Sequence, residues 1–121
     1  MSGKKVLLCD DSMLIRVQLK NFLNNHIEGV TILEAANGRV AIDIYKKEKP
    51  NLVLMDIVMP ETDGLQCLKE IIDMDKDAKV IVLSSVGNKE ILKETLKIGA
   101  INFIQKPWEE EPLSKTIQPY I

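Results

Sequence analysis

Short apolar runs alternate with amphipathic segments along the whole 121-residue chain. The apolar runs are rich in Val, Ile and Leu, which is typical of strands that are buried on both faces of a sheet. The segments between them repeat their apolar residues every three or four positions, as one face of a helix does. Alternating strands and helices predict an α/β domain with a mostly parallel sheet. The predicted strands are residues 4–9, 30–35, 51–55, 79–84 and 101–105.

The helical segments differ in how clearly they end. Gly99 follows the fourth segment and is predicted to be its C-cap. In the last segment, Pro112 suits the first turn of a helix, and Pro119 should end that helix after about two turns. The apolar faces of the first four segments consist of Ile15, Leu19, Phe22 and Leu23; Ala41, Ile44 and Tyr45; Leu65, Leu68, Ile71 and Ile72; and Ile91, Leu92, Thr95 and Leu96.

Polar side chains stand at the ends of four predicted strands. Asp10 and Asp11 follow the first strand, Asp56 follows the third, Ser84 ends the fourth, and Lys106 follows the fifth. The carboxyl ends of parallel strands share one edge of a sheet. In the flavodoxin-like strand order 2-1-3-4-5, the ligand crevice opens at that edge between strands one and three. The sequence therefore predicts that three carboxylates, a hydroxyl and an ammonium lie together there.

Three neighbouring carboxylates repel one another, so at least one pKa should rise unless a cation neutralises them. Mg²⁺ suits such a site because it binds carboxylates together with waters and phosphate oxygens. The chain has one histidine, His26, far from these strand ends in sequence, which argues against zinc. The whole set suits phosphoryl transfer to a carboxylate. Taken singly, each residue has an ordinary structural reading, and Asp11 or Ser12 is expected to be the N-cap of the first helix.

Composition and charge argue against several classes of protein function. The net charge is −2, and the 16 basic and 18 acidic residues are interspersed, which argues against a nucleic-acid or anionic-membrane binder. The run Val6 to Cys9 is too short for a signal-peptide core, and no run approaches a membrane span of about 18 residues. We therefore expect a cytoplasmic protein. We also expect a monomer with a single domain over residues 1–121 and no output domain. Cys9 and Cys67 are expected to be small buried hydrophobic residues.

The chain resembles a response-regulator receiver domain of the stand-alone, CheY-like chemotaxis kind. The resemblance rests on "VLLCDDS", "LVLMDIVMPETDGL", "VIVLSSVG" and "GAINFIQKPW", which occur in the order and at the spacing of that family. It implies that Asp56 accepts a phosphoryl group from a phosphohistidine on a sensor kinase or a phosphotransfer protein. It also implies that Asp11, Asp56 and the backbone carbonyl of Val58 bind Mg²⁺, and that Asp10 holds the water shell of the metal.

The resemblance further implies a switch. Lys106 would contact the phosphoryl oxygens, and its bond to Pro107 would be cis. Ser84 would move toward the phosphoryl group, and Phe103 would swing inward behind it. These movements would couple the site to the face formed by the fourth helix, the fifth strand and the fifth helix, where a downstream protein would bind.

Four positions depart from the family pattern. Position 58 is often polar in the family and is valine here, and Val86 is also apolar. Neither side chain can hydrogen-bond an attacking water, so we hypothesise that these two tuning positions give a long-lived aspartyl phosphate. Trp108 stands where phenylalanine is commoner, and Pro119 shortens the final helix of the expected output face.

Other functions remain open at this stage. A switch of this kind would catalyse only its own phosphorylation and dephosphorylation and would not otherwise be an enzyme. A phosphorelay intermediate would pass the phosphoryl group to a second histidine, with Met13 and Leu14 available for docking. A metal-dependent phosphohydrolase would use the same Asp nucleophile but typically needs an acid at position 58. A receiver that binds partners without phosphorylation is the remaining alternative.

Overall fold

Five strands form one parallel sheet in the computed structural model, which describes residues 3–59, 62–85 and 89–121. The order across the sheet is β2-β1-β3-β4-β5, which confirms the predicted flavodoxin-like arrangement. Each strand begins one residue later than its predicted run and ends where predicted. The strands are β1 (Lys5–Cys9), β2 (Thr31–Ala35), β3 (Leu52–Met55), β4 (Val80–Ser84) and β5 (Asn102–Gln105).

In the described part of the chain, a helix follows each of these strands. Ser12 caps the first, since its Oγ accepts the backbone N–H of Ile15 at 3.3 Å. Asn37 caps the second through a 3.0 Å bond from the N–H of Val40. Gly99 directly follows the fourth with φ +137°, a backbone conformation that favours glycine. The helices are α1 (Met13–His26), α2 (Gly38–Glu48), α3 (Gly64–Met74), α4 (Lys89–Ile98) and α5 (Glu110–Ile117).

The start of α5 differs from the prediction. The helix begins at Glu110, and Pro112 is its third residue. A proline is tolerated there because the first N–H groups of a helix have no intrahelical partner in any case. Pro119 lies in the short 3₁₀ turn Gln118–Tyr120 that follows, so the predicted length of about two turns is correct.

The helices cover both faces of the sheet. Alternate residues of β1 point to opposite sides: Leu7 packs into the cluster that α2, α3 and α4 complete, while Leu8 packs into the cluster under α1 and α5. Cys9 and Cys67 are buried in the first cluster, as expected. In the described part of the chain, no helix is both long enough and apolar enough to cross a membrane.

A two-stranded antiparallel hairpin lies between β3 and α3 and was missed by the sequence patterns. Val58–Met59 pairs with Thr62–Asp63, and α3 begins directly after the hairpin, at Gly64. Pro60, which the quoted motif "LVLMDIVMPETDGL" includes, lies outside the described residues. The hairpin matters for the site because it determines where the chain runs immediately after Asp56.

Gly64 should be intolerant of any side chain. A Cβ atom at this position would overlap the backbone of Ile57 at its Cα, C and O atoms. Backbone atoms cannot move aside as a flexible side chain can, so we expect Gly64→Ala to lower the free energy of unfolding by about 2 kcal/mol. Urea denaturation measures this loss. Gly3→Ala adds the same methyl group where no atom lies within 4 Å, so it should lose only about 1 kcal/mol, the cost of alanine at φ +61°. An equal loss in both variants would contradict the overlap argument.

Candidate functional site

Three carboxylates converge at the carboxyl edge of the sheet. One oxygen each of Asp10, Asp11 and Asp56 lie within 4.8 Å of one another. The cause is the strand register: Cys9 of β1 pairs with Met55 of β3, so the next residue of each strand leaves the sheet beside the other. Asp10 and Asp56 are buried, and Asp11 is exposed. The predicted cluster of aspartates is therefore present.

Lys106 joins two of these carboxylates. Its Nζ donates to Asp10 Oδ2 at 2.6 Å and to Asp56 Oδ2 at 3.0 Å. The Lys106 side chain is 14% exposed, and those of Asp10 and Asp56 are 4% and 9% exposed, so both ion pairs are largely shielded from water. The Lys106–Pro107 peptide bond is cis, as expected. The fifth strand thus delivers its ammonium to the same edge as the aspartates.

The environment of Lys106 keeps its ammonium charged. Burial alone would lower the pKa of Lys106, but the hydrogen bonds from its ammonium to Asp10 and Asp56, with their charges, outweigh that effect. Its pKa is therefore raised above the usual value. Lys106 pairs with two of the three clustered carboxylates, so the formal charge of the cluster with its ammonium is still negative.

Backbone N–H groups fix the other oxygens of the two buried carboxylates. Asp10 Oδ1 accepts the N–H of Ser12 at 2.9 Å, and Asp56 Oδ1 accepts the N–H of Val58 at 2.9 Å. Both are local turns of the kind that aspartate forms with the residue two positions on. The side chain of Val58 is 50% exposed beside the cluster, where it offers no hydrogen-bonding group. Val86, the other predicted tuning position, lies outside the described residues.

Ser84 and Phe103 occupy the neighbouring strands. Ser84 is fully buried at the end of β4, and its carbonyl accepts the N–H of Lys106 at 2.9 Å. Phe103 lies on β5 opposite Val82 and is half-buried against the α2–α3–α4 side of the core. Ser84, the first predicted switch residue, therefore lies next to Lys106. Phe103, the second, lies earlier in β5.

Arg16 contacts the site and Glu34 contacts Arg16, and the sequence patterns identify neither residue. Arg16 Nη1 donates to the backbone oxygen of Asp10 at 2.6 Å, and its Nε donates to Glu34 Oε1 at 3.1 Å. Desolvation opposes charge on Glu34, but its bonds to Lys20 and Arg16 prevail and lower its pKa. One signal was available: Glu34 interrupts the apolar run of β2, and Arg16 follows the Ser12 cap by one helical turn.

The doubly wound sheet with carboxylates at its carboxyl edge defines an α/β protein of the flavodoxin-like class. The chain matches the response regulator receiver domain over residues 6–118. It is 43% identical over 108 residues to the chemotaxis protein CheY of Thermotoga maritima, covering 88% of each protein. It is 33% identical over 121 residues to sporulation initiation phosphotransferase F of Bacillus subtilis, covering all of this chain and 96% of that protein.

A solved structure supports the same family. A chain in the crystal structure of the CheX–CheY–BeF₃–Mg²⁺ complex from Borrelia burgdorferi superposes with a TM-score of 0.88 at 34% identity, covering 98% of this chain and 90% of that one. The chain therefore belongs to the response regulator receiver domain family, which takes part in two-component signalling. The resemblance inferred from the motifs is confirmed.

Proposed function

We propose that this receiver domain is a phosphorylation-activated switch in chemotaxis signalling, which accepts a phosphoryl group onto Asp56 from the phosphohistidine of a sensor kinase or phosphotransfer protein. The observation that carries the proposal is the bridge from the Lys106 ammonium to Asp56 and Asp10 within the carboxylate cluster. The likeness to several CheY proteins supports the chemotaxis setting and a cytoplasmic location. The chain acts only on itself, as acceptor and as hydrolase of its own aspartyl phosphate.

The carboxylate cluster fits a Mg²⁺ ion. All three clustered donors are carboxylate oxygens, the hard ligands that Mg²⁺ prefers, and their negative charge exceeds that of the Lys106 ammonium. Asp11 and Asp56, with the backbone carbonyl of Val58, would hold the ion, and Asp10 would hold its water shell. When bound, Mg²⁺ neutralises charge on the carboxylates and on the phosphoryl oxygens.

Asp56 would act as the nucleophile. Its carboxylate oxygen forms a bond to phosphorus while the bond from phosphorus to the imidazole nitrogen breaks, and that nitrogen leaves with the electron pair. The end of β3 fixes the attacking group, because the N–H of Asp56 donates to the carbonyl of Cys9 at 2.9 Å. Lys106, already 3.0 Å from Asp56, pairs with the phosphoryl oxygens.

The new charge would reach the output face through two residues. The Ser84 hydroxyl is attracted toward the phosphoryl group, and its backbone already bonds to that of Lys106. Phe103 is half-buried and would become fully buried as Ser84 moves. A downstream protein then binds the α4–β5–α5 face of the monomer, and we expect neither nucleic acid nor membrane to be a partner.

Phosphate uptake tests the proposal directly. The protein is incubated with Mg²⁺ and a small phosphodonor such as acetyl phosphate, and its intact mass is measured. We expect the gain of one phosphate, and no gain when a chelator removes Mg²⁺. A wild-type protein that gains no phosphate with Mg²⁺ present would overturn the proposal.

A phosphorelay intermediate is the second candidate. The full-length likeness to sporulation initiation phosphotransferase F favours it. So does the N-terminal part of α1, where Met13, Leu14 and Val17 are 68%, 65% and 43% exposed. Transfer of phosphate from the phosphorylated chain back to the histidine of a purified phosphotransfer domain would distinguish a relay from a terminal switch.

Val58 should set the lifetime of the aspartyl phosphate. Its exposed apolar side chain cannot orient an attacking water, whereas an amide at the same place could. We therefore expect Val58→Asn to release phosphate several-fold faster than the wild type. Val40→Asn is the matched control, because Val40 is similarly exposed on α2. Equal release rates in all three proteins would disprove the tuning role.

A further inference from the structure

Arg16 holds the backbone of the turn that carries two of the proposed Mg²⁺-site residues. Its own N–H donates to the carbonyl of Ser12 at 3.1 Å, as in any first turn of a helix. Its side chain reaches farther back, and Nη1 donates to the backbone oxygen of Asp10 at 2.6 Å. This short distance is typical of a bond whose donor is charged. Arg16 thus fixes the turn between β1 and α1 at two points.

The backbone oxygen of Asp10 lies just beyond the sheet. The preceding carbonyl, of Cys9, still accepts the N–H of Asp56 at 2.9 Å, and the N–H of Asp10 donates to Ala35 at 3.0 Å. The carbonyl of Asp10 accepts from Arg16 instead. Rotation of this peptide unit would carry the adjacent Asp11 with it. Asp11 is the exposed member of the carboxylate cluster, so its placement depends on the backbone on either side of it.

Glu34 orients the guanidinium for this task. Glu34 Oε1 accepts Arg16 Nε at 3.1 Å, and Glu34 Oε2 accepts Lys20 Nζ at 3.2 Å. The Arg16 side chain is 14% exposed, while that of Lys20 is 41% exposed. The two cations therefore share one carboxylate, but of these two, in the part of the chain that the structure describes, only Arg16 also donates to the backbone oxygen of Asp10. A planar guanidinium can donate to both partners at once, which an ammonium at the end of a flexible stem does less well.

We infer that Arg16 is a positioning residue for the divalent cation, and that it acts by fixing the Asp10–Asp11 backbone rather than by its charge. The inference rests on the proposed function of the carboxylate cluster as a Mg²⁺ site. If Arg16 acts through its charge, its removal affects Mg²⁺ binding in one direction; if it acts by fixing the backbone, the effect is the opposite. Removing a positive charge near a cation site should tighten Mg²⁺ binding by Coulomb attraction alone. Loss of the contact that fixes the turn should weaken Mg²⁺ binding, as loss of a group that orients metal ligands does.

The test is an amide NMR titration of the metal-free protein with MgCl₂, which reports the fold and the Mg²⁺ affinity in one sample. We expect Arg16→Gln to weaken Mg²⁺ binding about tenfold. Without Mg²⁺, the amide signals of Asp11 and Ser12 should shift, while those of buried β1 residues such as Leu7 should not. Lys20→Gln is the matched control, since it removes the same charge from the same Glu34 partner. It should bind Mg²⁺ at least as tightly as the wild type.

The outcomes separate the inference from the proposed function. If the wild type binds Mg²⁺ and Arg16→Gln binds it equally well or more tightly, the positioning role is wrong. If Arg16→Gln does not fold, Arg16→Lys decides: it keeps the charge, so wild-type affinity in that variant would overturn the inference, and weakened affinity would support it. A wild type that binds no Mg²⁺ would overturn the proposed function and the inference together.

Discussion

Asp56→Asn is expected to take up no phosphate at all from a small phosphodonor in the presence of Mg²⁺. The amide has nearly the shape of the carboxylate, and its oxygen can still accept the N–H of Val58, which now lies 2.9 Å from Asp56 Oδ1. It lacks the negative charge and the nucleophilic oxygen that bond formation to phosphorus requires. Intact-mass measurement after incubation gives the result in one step.

Asp75→Asn is the matched control for this variant. Asp75 is a half-buried aspartate that accepts the Tyr45 hydroxyl at 2.8 Å, away from the carboxylate cluster. Its replacement should leave phosphate uptake unchanged. Phosphate uptake by Asp56→Asn at the wild-type level would show that another residue is the acceptor. Hydroxylamine, which cleaves acyl phosphates, should remove the phosphate from the wild type.

Lys106→Met is expected to lower the free energy of unfolding by about 3 kcal/mol in metal-free buffer at neutral pH. Methionine preserves much of the stem but leaves the buried carboxylates of Asp10 and Asp56 without the ammonium that now joins them. Mg²⁺ should restore more stability to this variant than to the wild type, because the cluster then carries more unbalanced negative charge. Urea denaturation with and without Mg²⁺ measures both effects.

The control uses an exposed lysine. Lys115 pairs with Glu111 at 3.3 Å on the surface of α5, where both side chains are at least 75% exposed. Such pairs contribute little, so Lys115→Met should change the free energy of unfolding by no more than about 0.5 kcal/mol. Equal losses in the two methionine variants would show that the Lys106 bridge adds nothing to stability.

The same lysine predicts a pH dependence with a defined sign. Burial opposes the charged form of Lys106, but its bonds to Asp10 and Asp56 raise its pKa in the folded protein. Its contribution to stability is therefore complete below the unfolded pKa of about 10.4 and is lost as pH rises through the higher folded value. The stability difference between wild type and Lys106→Met should stay constant from neutral pH to about pH 10 and shrink above it. The pKa of Tyr45 is raised by burial and by Asp75, but Tyr45 titrates in both proteins, so its contribution cancels in the stability difference.

Much of the fold could be predicted because its signals are local. A buried parallel strand needs a continuous apolar run and a surface helix needs one apolar stripe, and both appear directly in the residue order. The hairpin at Val58–Met59 and Thr62–Asp63 was missed because two-residue strands carry no detectable period. The sequence predicts the start of α5 two residues late, because Pro112 suits the first helical residue but is also tolerated as the third.

Part of the candidate site could likewise be predicted from the sequence, and part could not. Asp10, Asp11, Asp56, Ser84 and Lys106 could be named from the sequence, because residues that follow parallel strands share one edge of the sheet. Arg16 and Glu34 could not be assigned a role. Their contacts join α1, β2 and the end of β1, and they depend on side-chain reach across elements that are distant in sequence.

The sequence by itself determined the class of fold, the family and the residues of the acidic edge, because strand ends and apolar periods are properties of residue order. Only the tertiary structure decided that Lys106 bridges Asp10 and Asp56 and that Arg16 braces the Asp10 backbone. The physical reason is distance. Lys106 is 96 residues from Asp10 in the chain, and a 2.6 Å contact between them exists only after the sheet has brought β1 and β5 into one layer.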